Sequence, residues 1–225
     1  ASFNGEILLA IGAGLIFGFL QPFLGYGLLK LTTRIDNPTA AAVAAHYGSI
    51  SIVTFATAAA FLNTNSTVYA GYIVAIVALM EAPAILSGLF IAHRTAPETG
   101  SHTQEQKKLS REIFTNGAIL LMSGAFLIGW ITGPAGMQKI EGFINTPFQG
   151  ILCLFLLDMG LVVAKNVHHL RNFTIPLTLF GIYMPLIGAC IGLGASWVIG
   201  LDVGTGTLFT VLCAIASYIA VPAAM

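Results

Sequence analysis

The chain has 225 residues, of which 56% are hydrophobic and only 8% charged, and its formal net charge is zero. Soluble domains carry about 25% charged residues, so this composition is typical of a protein that lies almost entirely in a membrane. A neutral chain gives no electrostatic reason to expect nucleic acid as a partner. The three cysteines match no metal-ligand spacing, and HExxH, GxSxG and P-loop motifs are absent. We therefore expect neither an enzyme nor a bound cofactor.

Apolar windows of about 20 residues, the length that crosses a bilayer, recur along the chain. They predict seven spans, at about 6–29, 39–62, 70–92, 113–133, 148–165, 174–199 and 205–223. The connections are short except for 93–112, which is polar and charged and is predicted to be a linker. This linker separates a first part, 1–92, with three spans from a second part, 113–225, with four.

The span at 39–62 has a polar centre, Tyr47-Gly48-Ser49-Ile50-Ser51, where a helix that only crossed the membrane would carry leucine. Glycine weakens a helix, and serine offers the backbone competing hydrogen bonds. Inside a membrane, a broken backbone is tolerated only where protein buries it or where it lines a watery cavity. We therefore predict a discontinuous helix whose break binds a ligand.

Basic residues predict how the chain is oriented. With seven alternating spans, eight of the nine lysines and arginines lie on one side, in 30–38, 93–112 and 165–173, and only Lys139 lies on the other. Loops rich in lysine and arginine face the cytoplasm. The sequence therefore predicts a multi-pass protein of the plasma (inner) membrane, with these three loops cytoplasmic.

The two parts share a short internal similarity. Asp36 is followed 15 residues later by Ser51, Asp202 is followed 15 residues later by Ser217, and each pair follows a proline-containing span. Because the two copies cross the membrane in opposite directions, they indicate inverted repeats, which place paired broken helices near the middle of the bilayer. The repeats would be incomplete, so the chain is expected to be truncated at both ends.

The two stretches offer groups that suit small ions. Freed amides at the N-terminus of a half-helix carry the positive end of the helix dipole and suit an anion, whereas hydroxyls and freed carbonyls suit a sodium ion. The alternatives are close packing of small residues in the first stretch and a kink at Pro222 in the second. The candidates for substrate binding are Gly48, Ser49, Ile50, Ser51, Ser217 and Tyr218.

Acidic residues within spans are the other candidates. An ionisable group in the middle of a span costs on the order of 3 kcal/mol, so Glu81 is predicted to be a cation ligand, a proton carrier or a gate, with a hydrogen bond to a neighbouring helix as the alternative. Asp158, nearer the cytoplasmic end, is a second gating or coupling candidate that can also snorkel. His46 is predicted to pack rather than to bind a ligand. The predicted sodium ligands are Ser49, Thr54, Glu81 and Ser217.

At these residues the chain resembles the sodium-dependent bicarbonate transporter superfamily, which includes the cyanobacterial bicarbonate permease. The resemblance covers HYGSISIVTF at 46–55, MEAPA at 80–84 and ASYIAVPAAM at 216–225. It implies an all-α, polytopic transmembrane bundle of two inverted repeats with two crossed discontinuous helices. It also implies anion and sodium sites where these helices meet, a tendency to form homotrimers, and a cytoplasmic linker that engages a PII-like regulator.

The chain departs from the cyanobacterial pattern at two places, which leaves three functions open. The second broken helix lacks the expected aspartate, and Glu81 stands where those relatives carry aspartate. The first function is secondary-active transport of a small anion, with sodium-coupled bicarbonate uptake in first place. The second is a transporter of the same fold for another small solute or organic anion, coupled to protons or sodium. The third is a membrane sensor or scaffold that acts through the linker.

Overall fold

A computed structural model of the chain describes residues 5–95, 117–165, 167 and 174–217, and over these ranges the fold is all-α. This confirms the predicted helical class. The helices are α1 (Gly5–Thr32), α2 (Asn37–His46), α3 (Ile52–Thr64), α4 (Ile73–Thr95), α5 (Gly117–Lys165), α6 (Ile175–Ile199) and α7 (Val203–Ala214).

Within the described ranges, two helices are long and apolar enough to cross a membrane. They are α1, with 28 residues, and α6, with 25. At about 1.5 Å per residue, each exceeds the roughly 30 Å of a hydrocarbon core. α3, α7 and the segment Ile73–Gly88 of α4 are shorter apolar helices. Length and composition thus agree with a membrane protein.

The predicted break in the second span is present. α2 ends at His46, α3 begins at Ile52, and residues 47–51 between them are not helical. Ser51 is the N-cap of α3, because its hydroxyl oxygen accepts hydrogen bonds from the amide and the hydroxyl of Thr54 at 3.3 and 3.0 Å. Serine at this position begins a helix rather than continuing one, so the residues that made this span look unusual also end and restart it.

The predicted end of the fourth span at residue 133 coincides with a kink, but the connection that follows is helical. Residues 134–147 are helical and belong to α5, in which Gly133 is the non-helical residue, with φ 59° and ψ −159°. Glycine adopts this conformation without a steric penalty, and Pro134 directly after it is suited to the first turn of a new helix. Gly133 therefore separates two helical segments, and the polar residues after it lie within the second segment.

α1 lies at the centre of the described fold. It packs against α4, α2 and α6, while α7 packs against α6 and α3. One apolar cluster gathers residues of α4 and α7 and includes Ile50, and a second gathers residues of α1, α2 and α6 and borders Tyr47. The break at 47–51 therefore lies between the two clusters.

Matching aspartates begin the two helices that lead into the breaks. The Asp36 carboxylate accepts hydrogen bonds from the amide and hydroxyl of Thr39, and that of Asp202 from the amides of Gly204 and Thr205. The Thr39 amide is the main cause that lowers the pKa of Asp36. Burial acts to raise the pKa of Asp202, but the hydrogen bonds outweigh it and the pKa is lowered. Both aspartates are therefore ionised at neutral pH. The inverted repeat that was inferred from them stays a prediction.

Candidate functional site

The first break meets the end of α7 and residues 215–217, the place of the predicted second break. α7 ends at Ala214, and residues 215–217 leave the helix and reach the end of α2. The Ser217 amide donates to the His46 carbonyl at 2.9 Å, and the His46 Nδ1–H donates to the Ser217 carbonyl. Two stretches 171 residues apart are thereby joined by a pair of hydrogen bonds. His46, predicted only to pack, is the link between them.

Glu81 closes the first break from the side of α4. The Ser49 hydroxyl donates to its Oε1 at 2.8 Å, and the Ile50 amide donates to its Oε2 at 3.3 Å. Glu81 is 5% exposed and Ser49 is 1% exposed. The carboxylate is therefore buried on two uncharged donors, and in the part of the chain that the structure describes no basic group interacts with it.

A glycine allows this part of the break to sit against α1. A Cβ atom on Gly48 would overlap the Pro22 ring and would lie 3.0 Å from the Gly18 carbonyl oxygen. A Cβ atom on Gly18 would in turn lie 2.9 Å from the Met80 carbonyl oxygen. Small residues let helix backbones approach in this way, and the approach brings α4, and with it Glu81, within reach of Ser49.

The second break is held by α1 and α6. In an unbroken helix the Ser217 amide would bond to the Cys213 carbonyl, four residues earlier. In the structure that amide turns to His46, and the Gln21 side-chain amide donates to the Cys213 carbonyl instead, at 2.7 Å. Gly188 makes room on α6, because a Cβ atom there would overlap the Cys213 carbonyl.

At the first break, too, backbone groups that would pair within a continuous helix bond to other parts of the chain. A continuous helix would join the Ile50 amide to the His46 carbonyl, but the Ile50 amide bonds to Glu81 and the His46 carbonyl accepts from Ser217. Buried backbone groups need partners, and here the Ile50 amide and the carbonyls of His46 and Cys213 find them in other parts of the chain. The two breaks thus form one connected hydrogen-bonded unit.

The structure brings together part of the predicted site. Ser49 and Glu81 bond directly, and Ser217 lies across His46 from the first break, while the Thr54 hydroxyl is one turn into α3 and donates to Ser51. Asp158 is exposed on α5, which packs against α4. Tyr218, Pro222 and most of the 93–112 linker lie outside the described residues.

Sequence reasoning missed Gln21 and the bridging role of His46. Gln21 carried a signal, because it is a polar residue in the middle of an apolar span and stands directly before a proline. It is 6% exposed, and a buried amide of this kind requires a partner. Nothing in the sequence indicates that the partner is a carbonyl on another helix.

A cavity of about 220 Å³ lies beside the second break and not at Glu81. Apart from the Gln21 amide its walls are apolar, so it offers little to an anion. The residues that line it are Phe17, Leu20, Gln21, Leu24, Gly188, Ile191 and Cys213.

Comparison with known proteins agrees with the membrane character. No curated protein matches the chain. The family model described as the Na+-dependent bicarbonate transporter superfamily matches residues 1–225, the whole of the sequence. The chain therefore belongs to the Na+-dependent bicarbonate transporter superfamily.

Proposed function

We propose that the protein is a secondary transporter that carries bicarbonate, coupled to sodium, through the unit formed by the two breaks. The observation that carries the proposal is the buried Glu81 carboxylate on the Ser49 hydroxyl and the Ile50 amide, next to the junction of His46 and Ser217. Family membership supports the transport activity, and the site supports ion binding at this place.

The sodium ion would bind at Glu81. A buried carboxylate is costly unless a cation balances it, and both donors to Glu81 among the described residues are neutral. Hard cations prefer oxygen ligands. The hydroxyl oxygens of Ser49, Thr54 and Ser217 complete the proposed set, because a hydroxyl that donates a hydrogen bond keeps lone pairs for a cation.

The anion would bind at the start of α3. The first amides of a helix have no partner inside the helix, and the helix dipole places partial positive charge there. Gly48, Ser49, Ile50 and Ser51 lead into this turn, and Ser217 and Tyr218 would complete the site from the second break. A planar anion with three oxygen atoms can accept several such hydrogen bonds at once.

The remaining features of the proposal follow the sequence. The protein would lie in the plasma membrane with 30–38, 93–112 and 165–173 on the cytoplasmic side, where a PII-like regulator would bind. Trimers and a coupling role for Asp158 also belong to the proposal.

Uptake of labelled bicarbonate into vesicles tests the function. Wild-type protein should accumulate the label only when a sodium gradient is imposed. Changing both Ser49 and Ser51 to alanine should abolish uptake, whereas Thr57→Ala should not. The Thr57 hydroxyl donates to the Val53 carbonyl within its own helix and is a matched control. Sodium-independent uptake, or none, would exclude this function.

One observation favours a second candidate, proton-coupled transport of another small anion. A proton neutralises Glu81 as well as a sodium ion does, because none of its described partners is basic. Uptake of small carboxylates driven by a proton gradient without sodium, and lost in Glu81→Gln, would establish this candidate. Bicarbonate uptake that needs sodium under the same gradient would eliminate it.

A further inference from the structure

The proposed anion site is already occupied by an anion that belongs to the protein. The Ser49 hydroxyl and the Ile50 amide each have a single proton to donate, and both protons are used by the Glu81 carboxylate. A substrate anion that needs these donors must therefore displace Glu81 or do without them. This conflict rests on the proposed function, because it concerns the same site.

The conflict is also electrostatic. Two negative charges a few ångströms apart repel strongly where water is scarce, and Glu81 is 5% exposed. Hydrogen bonds to an ionised carboxylate are about twice as strong as those between neutral groups. Without a cation, a substrate anion therefore does not displace Glu81 from the Ser49 and Ile50 donors, and the charge of Glu81 repels it.

A cation removes both obstacles. Bound to the Glu81 carboxylate, it neutralises the charge and so weakens the hold on Ser49 and Ile50. Bound through the lone pairs of the Ser49 oxygen as well, it leaves the hydroxyl proton free to turn to another acceptor. The cation thus makes the donors available and balances the charge that the substrate brings.

We propose that Glu81 is a tethered competitor of the substrate, which occupies the Ser49 and Ile50 donors until sodium binds and thereby enforces the order of sodium first and anion second. Coupling then needs no distant relay, since the residue that binds the cation is the one that blocks the anion. Glu81 thus determines the order in which sodium and the substrate anion bind.

Infrared difference spectroscopy of the purified full chain tests the first step without any substrate. Sodium added to a potassium buffer should shift a carboxylate band that is absent from Glu81→Gln. In Ser49→Ala, where one donor is missing, the same band should lie at a different frequency before sodium is added. The Glu141→Gln variant, at an exposed acid on α5, should keep the wild-type sodium response. A Glu81 band that sodium leaves unchanged overturns the proposal.

Equilibrium binding of labelled bicarbonate tests the second step. Sodium should tighten binding to the wild-type chain by at least about tenfold, which corresponds to about 1.4 kcal/mol. In Glu81→Ala, sodium should change the affinity by less than about twofold, and sodium-free binding should be tighter than in wild type. Glu81→Gln, which keeps the size of the side chain, should show the same direction.

The outcomes separate this proposal from the function it rests on. If wild-type protein binds no bicarbonate with sodium present, the proposed function fails, and the infrared result still decides the role of Glu81. If wild-type protein binds with sodium but both Glu81 variants remain as sodium-dependent as wild type, the function stands and the tethered competitor is excluded. Variants that bind less tightly than wild type in sodium-free buffer exclude it as well.

Discussion

The two breaks replace their lost helical hydrogen bonds with different chemistry. At the first break the replacing group is a carboxylate, Glu81, which an ion can engage. At the second it is the Gln21 amide, which is neutral and bonded to the Cys213 carbonyl. A backbone amide without its helical acceptor is thus satisfied by a charged group, and a backbone carbonyl without its helical donor by a neutral one. If the proposed function is right, the first break contributes the charged ion ligand, Glu81, and the second contributes only neutral groups.

The largest expected effect distinguishes the serines of the two breaks. The Ser49 hydroxyl donates to Glu81, whereas the two hydrogen bonds between Ser217 and His46 use the backbone atoms of Ser217, which alanine keeps. A lost hydrogen bond to a charged group costs about 1.5–3 kcal/mol. Ser49→Ala removes a proposed donor to the substrate anion and a proposed sodium ligand, so we expect it to lower the initial rate of sodium-driven bicarbonate uptake by about ten- to a hundredfold. Ser217→Ala removes one proposed sodium ligand and keeps the backbone link to His46, so its loss should be smaller. An equal loss in both variants would contradict the asymmetry.

Glycine substitutions should show that both breaks are closely packed. Gly48→Ala and Gly188→Ala each place a methyl group on neighbouring atoms, and overpacking of this kind costs about 1–3 kcal/mol. Gly188 should be the more sensitive, because its neighbour is a backbone carbonyl that cannot rotate away. Thermal unfolding in detergent measures the loss.

Gly12→Ala and Gly194→Ala are the matched controls for this experiment, since a Cβ atom at either position has no neighbour within 4 Å. Both should leave the unfolding temperature unchanged or raise it slightly. Destabilisation by the controls to the same extent would mean that helix propensity, not space at the breaks, sets the effect.

Gln21→Leu should affect stability and leave ion coupling alone. It leaves the buried Cys213 carbonyl without its partner, which costs about 1–3 kcal/mol. The sodium concentration that gives half-maximal uptake should not change, because no ion is proposed to bind at Gln21. Gln138→Leu, at an exposed position on α5, is the control. A changed sodium requirement in Gln21→Leu would show that the second break takes part in ion binding.

The smallest expected effect is at the helix caps. Asp202→Ala removes the acceptor for two amides of α7, and loss of an N-cap costs about 1 kcal/mol. The pKa of Asp202 is lowered from 3.8, so its stabilisation is present above that value and is lost as the pH falls through the lowered pKa. Chemical unfolding at neutral and at strongly acidic pH should therefore show a difference between wild type and variant at neutral pH only. Asp36→Ala should act in the same direction.

The first break and the importance of Glu81 were predictable from the sequence. The long-range hydrogen bonds that hold the two breaks were not. Gly48, Ser49 and Ser51 identified the first break because small polar residues are out of place in a span, and Glu81 stood out because a charge is costly there. The bonds from Gln21 to Cys213 and from His46 to Ser217 join residues with no periodic relation, so only the packed structure reveals them. The helical course of 134–147 was missed because polarity was taken to mark the end of a helix.

The bond between His46 and Ser217 also has a consequence for how the protein is made. The His46 carbonyl leaves the ribosome 171 residues before the amide that bonds to it. At about 5–20 residues per second, this corresponds to a delay of roughly 10–30 s. During that interval the His46 carbonyl lacks the partner that it has in the folded protein. Assembly of the site is therefore a late event in biogenesis.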